Sequence, residues 1–274
     1  AVQAQIRHLI DRSSTLKGLK GASIQTELNV LRRHLHLFLR GLHDHIGIGI
    51  EELGLRTTTA VADRQELSVA RMQQGRWEPL NGPWVESDCT LVASASLLRQ
   101  FQEGQAYSQQ HLPGWKHALA WLPDSFGFSS GVPAICRASG VHWFCTHKLF
   151  WNSTNPFPHR VFRWRHSSGE EVLVLMSAPI GSSGAPLAMA AYSQQWQQST
   201  GIPQGLWLPG VGDHGGGPSQ EMLEQLQLWQ EQPLSAPTEF GTVRSYLNEL
   251  EAHQGQLPLW RDELYLELHL MGQW

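Results

Sequence analysis

The chain has little of what marks several protein classes. It has three cysteines, Cys89, Cys136 and Cys145, without Cys-x-x-Cys spacing, so neither a disulfide framework nor a thiolate metal site is indicated. No apolar run reaches the roughly 18 to 20 residues of a membrane span, and no signal-peptide pattern stands at the start. The formal net charge is −4 without a basic block, which argues against binding to nucleic acid or an anionic membrane. These absences predict a cytoplasmic protein with reduced thiols.

Short apolar runs alternate with amphipathic stretches that are bounded by glycine and proline. With 274 residues and 41% apolar content, the chain is long enough for one domain with a substantial core. The alternation predicts an α/β fold with a mostly parallel sheet and flanking helices. The predicted strands are Leu119 to Leu122, Trp143 to Thr146, Val172 to Leu175, Leu206 to Pro209 and Leu264 to Leu268. The predicted helices are Ser94 to Gln110, Val132 to Ala138, Pro186 to Gln197, Ser219 to Trp229 and Val243 to Glu251.

The segment Trp121-Leu-Pro-Asp-Ser-Phe-Gly127 places a carboxylate, Asp124, directly after a predicted strand and among aromatic side chains. An ionised carboxylate in apolar surroundings needs a charged, hydrogen-bonding or metal partner, because desolvation would otherwise raise its pKa and neutralise it. Pro, Asp, Ser and Gly are also ordinary turn residues, so a capping Asp in a strand-to-helix turn is the structural alternative.

Four further segments stand in a fixed order around this one. Residues 75–88 read Gly-Arg-Trp-Glu-Pro-Leu-Asn-Gly-Pro-Trp-Val-Glu-Ser-Asp, residues 146–159 read Thr-His-Lys-Leu-Phe-Trp-Asn-Ser-Thr-Asn-Pro-Phe-Pro-His, residues 212–218 read Gly-Asp-His-Gly-Gly-Gly-Pro, and residues 263–267 read Glu-Leu-Tyr-Leu-Glu. Together the five segments resemble the catalytic domain of the α-mannosidases of glycoside hydrolase family 38. The resemblance runs from about residue 70 to residue 269. It predicts a poorly matched, mostly helical segment at 1–69 and a barrel-like α/β glycoside hydrolase domain at 70–274, incomplete at its C-terminus.

The resemblance implies retaining hydrolysis of terminal α-mannosides through a covalent mannosyl-enzyme intermediate, at one divalent metal ion, zinc or another such as cobalt. It gives Asp124 two roles, as nucleophile and as metal ligand. A retaining glycosidase needs a second carboxyl group about 5 to 5.5 Å from the first. Asp213, which follows an apolar stretch and precedes a glycine run, is the candidate acid/base. The implied substrate is a mannose-containing glycan or a small α-mannoside.

Several candidates for substrate binding have a structural alternative. Lys148 matches the family's basic residue near the nucleophile, but a solvated surface lysine is as good an interpretation. The rings of Phe126 and Trp151, like that of Trp121, suit stacking on a mannose ring, although aromatic residues also fill cores. His214 replaces a glycine of the family and is either a substrate contact or an exposed loop residue.

Three other residues lie in segments that match the family. Asp88 and Glu86 are candidates to support the site, and Asp88 is also a candidate substrate contact. His159 lies between Pro158 and Arg160 in a predicted loop, where packing and substrate contact are both open.

The first seventy residues lack the family's His-x-Asp metal-binding pair. His8 and Asp11 are one residue too far apart, and the histidine-rich stretch from Leu31 to Ile50 follows no family pattern. That stretch either supplies metal ligands or reflects a disrupted reading frame. A later family ligand, a His in a His-Asp pair, is also absent after residue 269. We therefore expect weak metal binding and slow or no turnover. A non-catalytic mannose-binding module and a degenerate remnant of such an enzyme are the alternative functions.

Overall fold

A computed structural model describes residues 68–177, 181–211, 217–232 and 237–267. Within these ranges the chain forms one five-stranded sheet: β1 Leu119–Trp121, β2 Trp143–Thr146, β3 Val161–Arg165, β4 Glu171–Met176 and β5 Leu259–Trp260. The α-helices whose bounds lie within the same ranges are α1 Ser94–His111, α2 Val132–Ala138, α3 Pro186–Thr200, α4 Gln220–Gln230 and α5 Val243–Glu251. Short 3₁₀ turns cover Lys148–Trp151 and Gln254–Gln256.

The sheet is open and mostly parallel, as the sequence predicts. Its strand order is β1-β2-β4-β3-β5, with β1, β2 and β4 parallel to one another and β5 parallel to β3. Only β3 and β4 are antiparallel. Because β1, β2 and β4 run the same way, the loops that follow them meet at one edge of the sheet, here called the carboxyl edge.

Both faces of the sheet are covered by apolar side chains. Alternate residues of each strand face opposite sides, so Ala120 and Trp121 belong to two different buried clusters. One cluster joins the sheet to α1 and α2, and the other joins it to α3 and α5. Trp121, which the sequence offers as a sugar-stacking residue, is 8% exposed and lies in the second cluster, so it is a core residue.

Three predicted elements have the observed bounds, Trp143 to Thr146, Val132 to Ala138 and Val243 to Glu251. The strand predicted at Leu206 to Pro209 is wrong: this stretch forms a single bridge between Ser182 and Pro209. The bridge consists of two bonds, from the Ser182 N–H to the Leu208 carbonyl at 3.3 Å and from the Gly210 N–H to the Ser182 carbonyl at 2.9 Å.

The strand predicted at Leu264 to Leu268 is also reduced to one bridge, between Leu264 and Phe128. The two residues exchange both backbone hydrogen bonds, at 3.0 and 2.9 Å. Leu268 itself lies outside the described residues. This bridge ties the last described segment to the loop that carries Asp124.

None of the helices in the described ranges combines the length and the apolar character that a bilayer crossing requires. The three cysteines, all within these ranges, are buried and free.

Candidate active site

Asp124 lies in the loop that follows β1, at the carboxyl edge. Leu122 extends the strand pairing by donating its N–H to the Cys145 carbonyl at 2.9 Å, and the chain then turns through Pro123. The loop closes at Gly127, whose φ of +96° is a conformation that a side chain would strain. The Asp124 side chain is 68% exposed. The expectation of a desolvated carboxylate is therefore wrong, because the two neighbouring rings do not enclose it.

Lys148 is the buried charge of the site. It opens the 3₁₀ turn directly after β2, and its side chain is only 5% exposed. Its Nζ lies 2.5 Å from Oδ1 of Asp124. Lys148 is thus not a solvated surface lysine, and the Asp124 carboxylate is the counter-charge that a buried ammonium requires.

Two half-exposed rings flank the ammonium. The Lys148 Nζ lies 3.5 Å from the ring centroid of Trp151 and 4.8 Å from that of Phe126. A 3₁₀ turn brings residues three apart onto one side, which explains why Lys148 and Trp151 meet. The two rings are edge to face at 6.0 Å, and 37% of Trp151 and 38% of Phe126 stay accessible. The cluster therefore combines a carboxylate, a cation and two apolar ring surfaces that a ligand can reach.

Glu86 reaches the same loop from a distant part of the sequence. Its segment packs directly against α1 at Gly104. A side chain there would not fit, since a Cβ on Gly104 would come within 2.3 Å of the Gly82 carbonyl oxygen. Oε1 of Glu86 accepts the backbone N–H of Asp124, in a short contact, and that of Ser125 at 3.0 Å. The pKa of Glu86 lies above its usual value, chiefly because the loop packed against its carboxyl group displaces part of the water there, with repulsion from Asp124 as a smaller cause.

Asp88 makes local contacts instead. Its Oδ1 accepts the N–H groups of Thr90 and Leu91, both at 2.8 Å, and these bonds lower its pKa. No described contact joins it to Asp124. His159 packs among the rings of Phe157, Phe162 and Trp260, at centroid distances of 6.0 to 6.2 Å, which agrees with the packing alternative.

The loop after the 3₁₀ turn is held by a buried carboxylate. Glu267 is 2% exposed and accepts the backbone N–H groups of Ser153, Thr154 and Asn155. The amide of Asn152 bonds in both directions to the same segment, to the Tyr265 carbonyl at 2.8 Å and from the Glu267 N–H at 2.9 Å. The chain that follows Trp151 is therefore fixed to residues 265–267.

The candidate acid/base Asp213 and its neighbour His214 lie outside the described residues, as do His8, Asp11 and the stretch from Leu31 to Ile50. Within the described ranges, no three His, Cys, Asp or Glu side chains are grouped as a metal site. Oδ1 of Asp124 is also engaged by an ammonium. The described residues therefore do not fit a metal ion by themselves.

His147 is the imidazole next to Lys148 in sequence, and it is 8% exposed. Burial lowers its pKa to about 4, so the ring is neutral at pH 7. Its Nδ1 is buried without a hydrogen-bond partner among the described residues.

Sequence reasoning found Asp124, Phe126, Lys148 and Trp151, which the structure brings together. It placed Glu86 only as a support and gave Glu267 no role. No local signal identifies either, since their hydrogen bonds span 38 to 39 and 112 to 114 residues of sequence. The sequence Glu-Ser-Asp at residues 86–88 contains two acidic side chains, but it does not indicate which of them contacts the loop of Asp124.

An α/β sheet with an exposed carboxylate, a buried cation and accessible rings at its carboxyl edge is the kind of site that α/β enzymes use. Comparison with known proteins defines the family. Residues 60–263 match the profile of the glycosyl hydrolases family 38 N-terminal domain. The chain belongs to this family.

Relatives of the chain carry α-mannosidase names. It is 35% identical over 214 residues to "Alpha-mannosidase" of Saccharomyces cerevisiae, covering 73% of this chain and 20% of that protein. It is 34% identical over 198 residues to "Alpha-mannosidase 2C1" of Homo sapiens, covering 72% of this chain and 19% of that protein. The chain thus spans about a fifth of the length of these relatives.

The fold agrees with that family. The crystal structure of an alpha-mannosidase from Enterococcus faecalis V583 superposes with a TM-score of 0.62 at 15% identity, over 85% of this chain and 29% of that one. The similarity of structure confirms the mostly parallel α/β architecture.

Proposed function

We propose that the chain carries the nucleophile half of a retaining α-mannosidase site and acts on terminal α-mannosides. The observation that carries this proposal is the Asp124 carboxylate, exposed at the carboxyl edge and paired at 2.5 Å with a buried lysine. The mannosidase names of the relatives support the substrate class.

In the proposed reaction, a carboxylate oxygen of Asp124 attacks the anomeric carbon and forms a mannosyl-aspartate ester, while the glycosidic oxygen leaves as a hydroxyl group. Water then hydrolyses the ester with net retention. Lys148 holds the Asp124 carboxylate in place, and its N–H groups are within reach of a sugar hydroxyl beside that carboxylate. The accessible faces of Phe126 and Trp151 offer apolar surface to the mannose ring.

The second carboxyl group that this reaction needs is assigned to Asp213. Retention requires it about 5 to 5.5 Å from the Asp124 carboxylate. It would protonate the leaving oxygen and then take a proton from the attacking water. Its assignment rests on the match of residues 212–218 to the family's sequence.

The resemblance also implies a metal ion. Among the described residues, Asp124 is the proposed ligand, and no three His, Cys, Asp or Glu side chains are grouped as a metal site. The histidine-rich stretch from Leu31 to Ile50 is the candidate source of further ligands. The expected consequence is weak metal binding by the isolated chain and slow turnover.

A second candidate function, mannose binding without hydrolysis, is favoured by the Asp124–Lys148 ion pair. An ammonium 2.5 Å from Oδ1 already neutralises the charge of the Asp124 carboxylate, which weakens its attraction for a metal ion. A carboxylate, a cation and two rings are sufficient to bind a sugar. Mannose binding that is insensitive to a chelator, in a chain without hydrolysis, would favour this function.

The test is hydrolysis of a chromogenic aryl α-mannoside by the purified chain, with and without added zinc or cobalt. Asp124→Asn should abolish the activity, because the amide cannot form the ester. Asp262→Asn, the same change at an exposed position, should leave it unchanged. Equal activity of the Asp124→Asn variant would rule out the proposed nucleophile.

A further inference from the structure

Glu86 and Asp124 meet through the backbone, not through their side chains. One carboxylate oxygen, Oε1 of Glu86, receives two consecutive backbone N–H groups, those of Asp124 and Ser125. Bonds from N–H donors to an ionised carboxylate are stronger than those between neutral groups. This contact defines the Glu86 clamp.

The clamp fixes the direction in which the Asp124 side chain leaves the backbone. Two neighbouring N–H groups converge on one oxygen only over a narrow range of backbone angles at Asp124. These angles set the Cα–Cβ direction, and that direction sets where the carboxylate lies. No other described side chain bonds to the Asp124 N–H.

The rest of the loop has its own attachments to residues 87–89. The Ser125 hydroxyl donates to the Ser87 carbonyl at 2.8 Å, and the Ser129 N–H donates to the Cys89 carbonyl at 3.1 Å. Glu86 is exposed, so shortening it opens no cavity in the core. Loss of the clamp should therefore free the Asp124–Ser125 peptide and leave the fold intact.

To accept the two N–H groups, residue 86 needs a side chain that is long enough and ends in an oxygen atom, but it does not need a negative charge. The negative charge of Glu86 is repelled by that of Asp124, and the Lys148 ammonium offsets this repulsion. Glutamine keeps the reach and the oxygen without the charge. Aspartate keeps the charge but is one methylene shorter. The two substitutions thus separate a clamp from an electrostatic role.

We propose that Glu86 is a positioning residue that holds the Asp124–Ser125 peptide and so aims the Asp124 carboxylate at the reacting carbon. The aiming function rests on the proposed role of Asp124 as nucleophile. The clamp itself does not.

The first readout is hydrogen exchange of the Asp124 and Ser125 amides in the full chain, followed by NMR. In Glu86→Ala and Glu86→Asp these two amides should exchange roughly 10- to 100-fold faster than in the wild type, since their acceptor is lost. Glu86→Gln should stay near the wild-type rates. Glu103→Ala, which removes an exposed carboxylate paired with Arg99, is the matched control and should change neither amide.

The second readout is kinetics on the aryl α-mannoside. A misplaced nucleophile lowers kcat, so Glu86→Ala and Glu86→Asp should lose about 10- to 100-fold in kcat with little change in KM. Glu86→Gln should restore kcat to near the wild-type value.

The outcomes separate the two proposals. Unchanged exchange at Asp124 and Ser125 in both shortened variants overturns the clamp. Faster exchange with unchanged kcat overturns the aiming function, as does a Gln variant as slow as Ala. A wild-type chain without any turnover defeats the proposed function, while the exchange rates still decide the clamp. The Asp variant serves if the Ala variant fails to fold.

Discussion

Two carboxylates near the carboxyl edge both accept hydrogen bonds from the backbone of a loop, but they differ in their exposure to solvent. Glu86 accepts two backbone N–H groups of the loop that carries Asp124. Glu267 accepts three from the loop that follows Trp151. Glu86 is exposed, whereas Glu267 is 2% exposed.

Burial decides what each contact does for the protein. When an exposed acceptor is removed, water replaces it and little folding free energy is lost. When a buried acceptor is removed, its donors are left without a partner at a cost of about 1 to 3 kcal/mol for a buried group. We therefore assign Glu267 to stability and Glu86 to the position of one side chain.

The largest effect is expected at Glu267. Glu267→Ala should lower the free energy of unfolding by about 3 to 5 kcal/mol, because several buried N–H groups lose their acceptor together. Urea denaturation measures this directly. The matched change at an exposed site, Glu263→Ala, should cost less than about 0.5 kcal/mol. A Glu267→Ala loss as small as that of Glu86→Ala would remove the distinction between the two carboxylates.

The Asp124–Lys148 pair should show the same dependence on burial, with smaller losses of unfolding free energy. Asp124→Asn leaves a buried ammonium without its counter-charge, so unfolding free energy should fall by about 2 kcal/mol. Lys148→Met leaves only an exposed carboxylate, which water solvates, so the loss should stay below about 1 kcal/mol. Urea denaturation of both variants tests the order. A larger loss in Lys148→Met would contradict the assignment of Lys148 as the buried partner.

A pH effect is expected at the opposite end of β1. His117 is 6% exposed and its Nε2 lies 2.8 Å from the Ser108 hydroxyl. Burial lowers its pKa to about 4 from the ordinary 6.5, with the Arg244 charge as a smaller cause. The unfolded chain then binds more protons than the folded one between these values. Stability is therefore lost as pH falls from about 6.5 toward 4.

His117→Gln should reduce that loss. Between pH 7 and pH 5 the unfolding free energy of the variant should fall by about 2 kcal/mol less than that of the wild type. Urea midpoints at the two pH values measure the difference. His166→Gln, at a more exposed imidazole, is the control. An identical pH dependence in wild type and His117→Gln would show that His117 is not a neutral buried group.

Much of the fold follows from local pattern. Trp143–Thr146 is a short apolar run and Val132–Ala138 has proline in its first turn, so both are predicted with the observed bounds. The strand β4 is predicted, as Val172 to Leu175, but its hairpin partner β3 is not, although Val161–Arg165 is followed by a turn with Gly169 at a φ of +106°. The residues Arg163, Trp164 and Arg165 do not by themselves distinguish a strand from a loop. Their pairing with β4 makes them a strand.

The sequence predicts which residues form the site, but not which of them are buried. Sequence motifs bring Asp124 and Lys148 into one hypothesis, yet the apolar neighbours of Asp124 suggested a desolvated acid. The structure buries the lysine instead, under the rings of Phe126 and Trp151. Which partner of an ion pair is buried depends on tertiary packing, and a linear pattern does not contain that information.

Covalent labelling tests whether Asp124 is the nucleophile. A fluorinated α-mannosyl fluoride, with a good leaving group and a slowed second step, should add one fluoromannosyl group per chain even when turnover is slow. Peptide mapping by mass spectrometry is expected to find the label on Asp124 and none in Asp124→Asn. A label on another carboxylate, or an unlabelled wild-type chain that binds the sugar, would show that Asp124 is not the nucleophile.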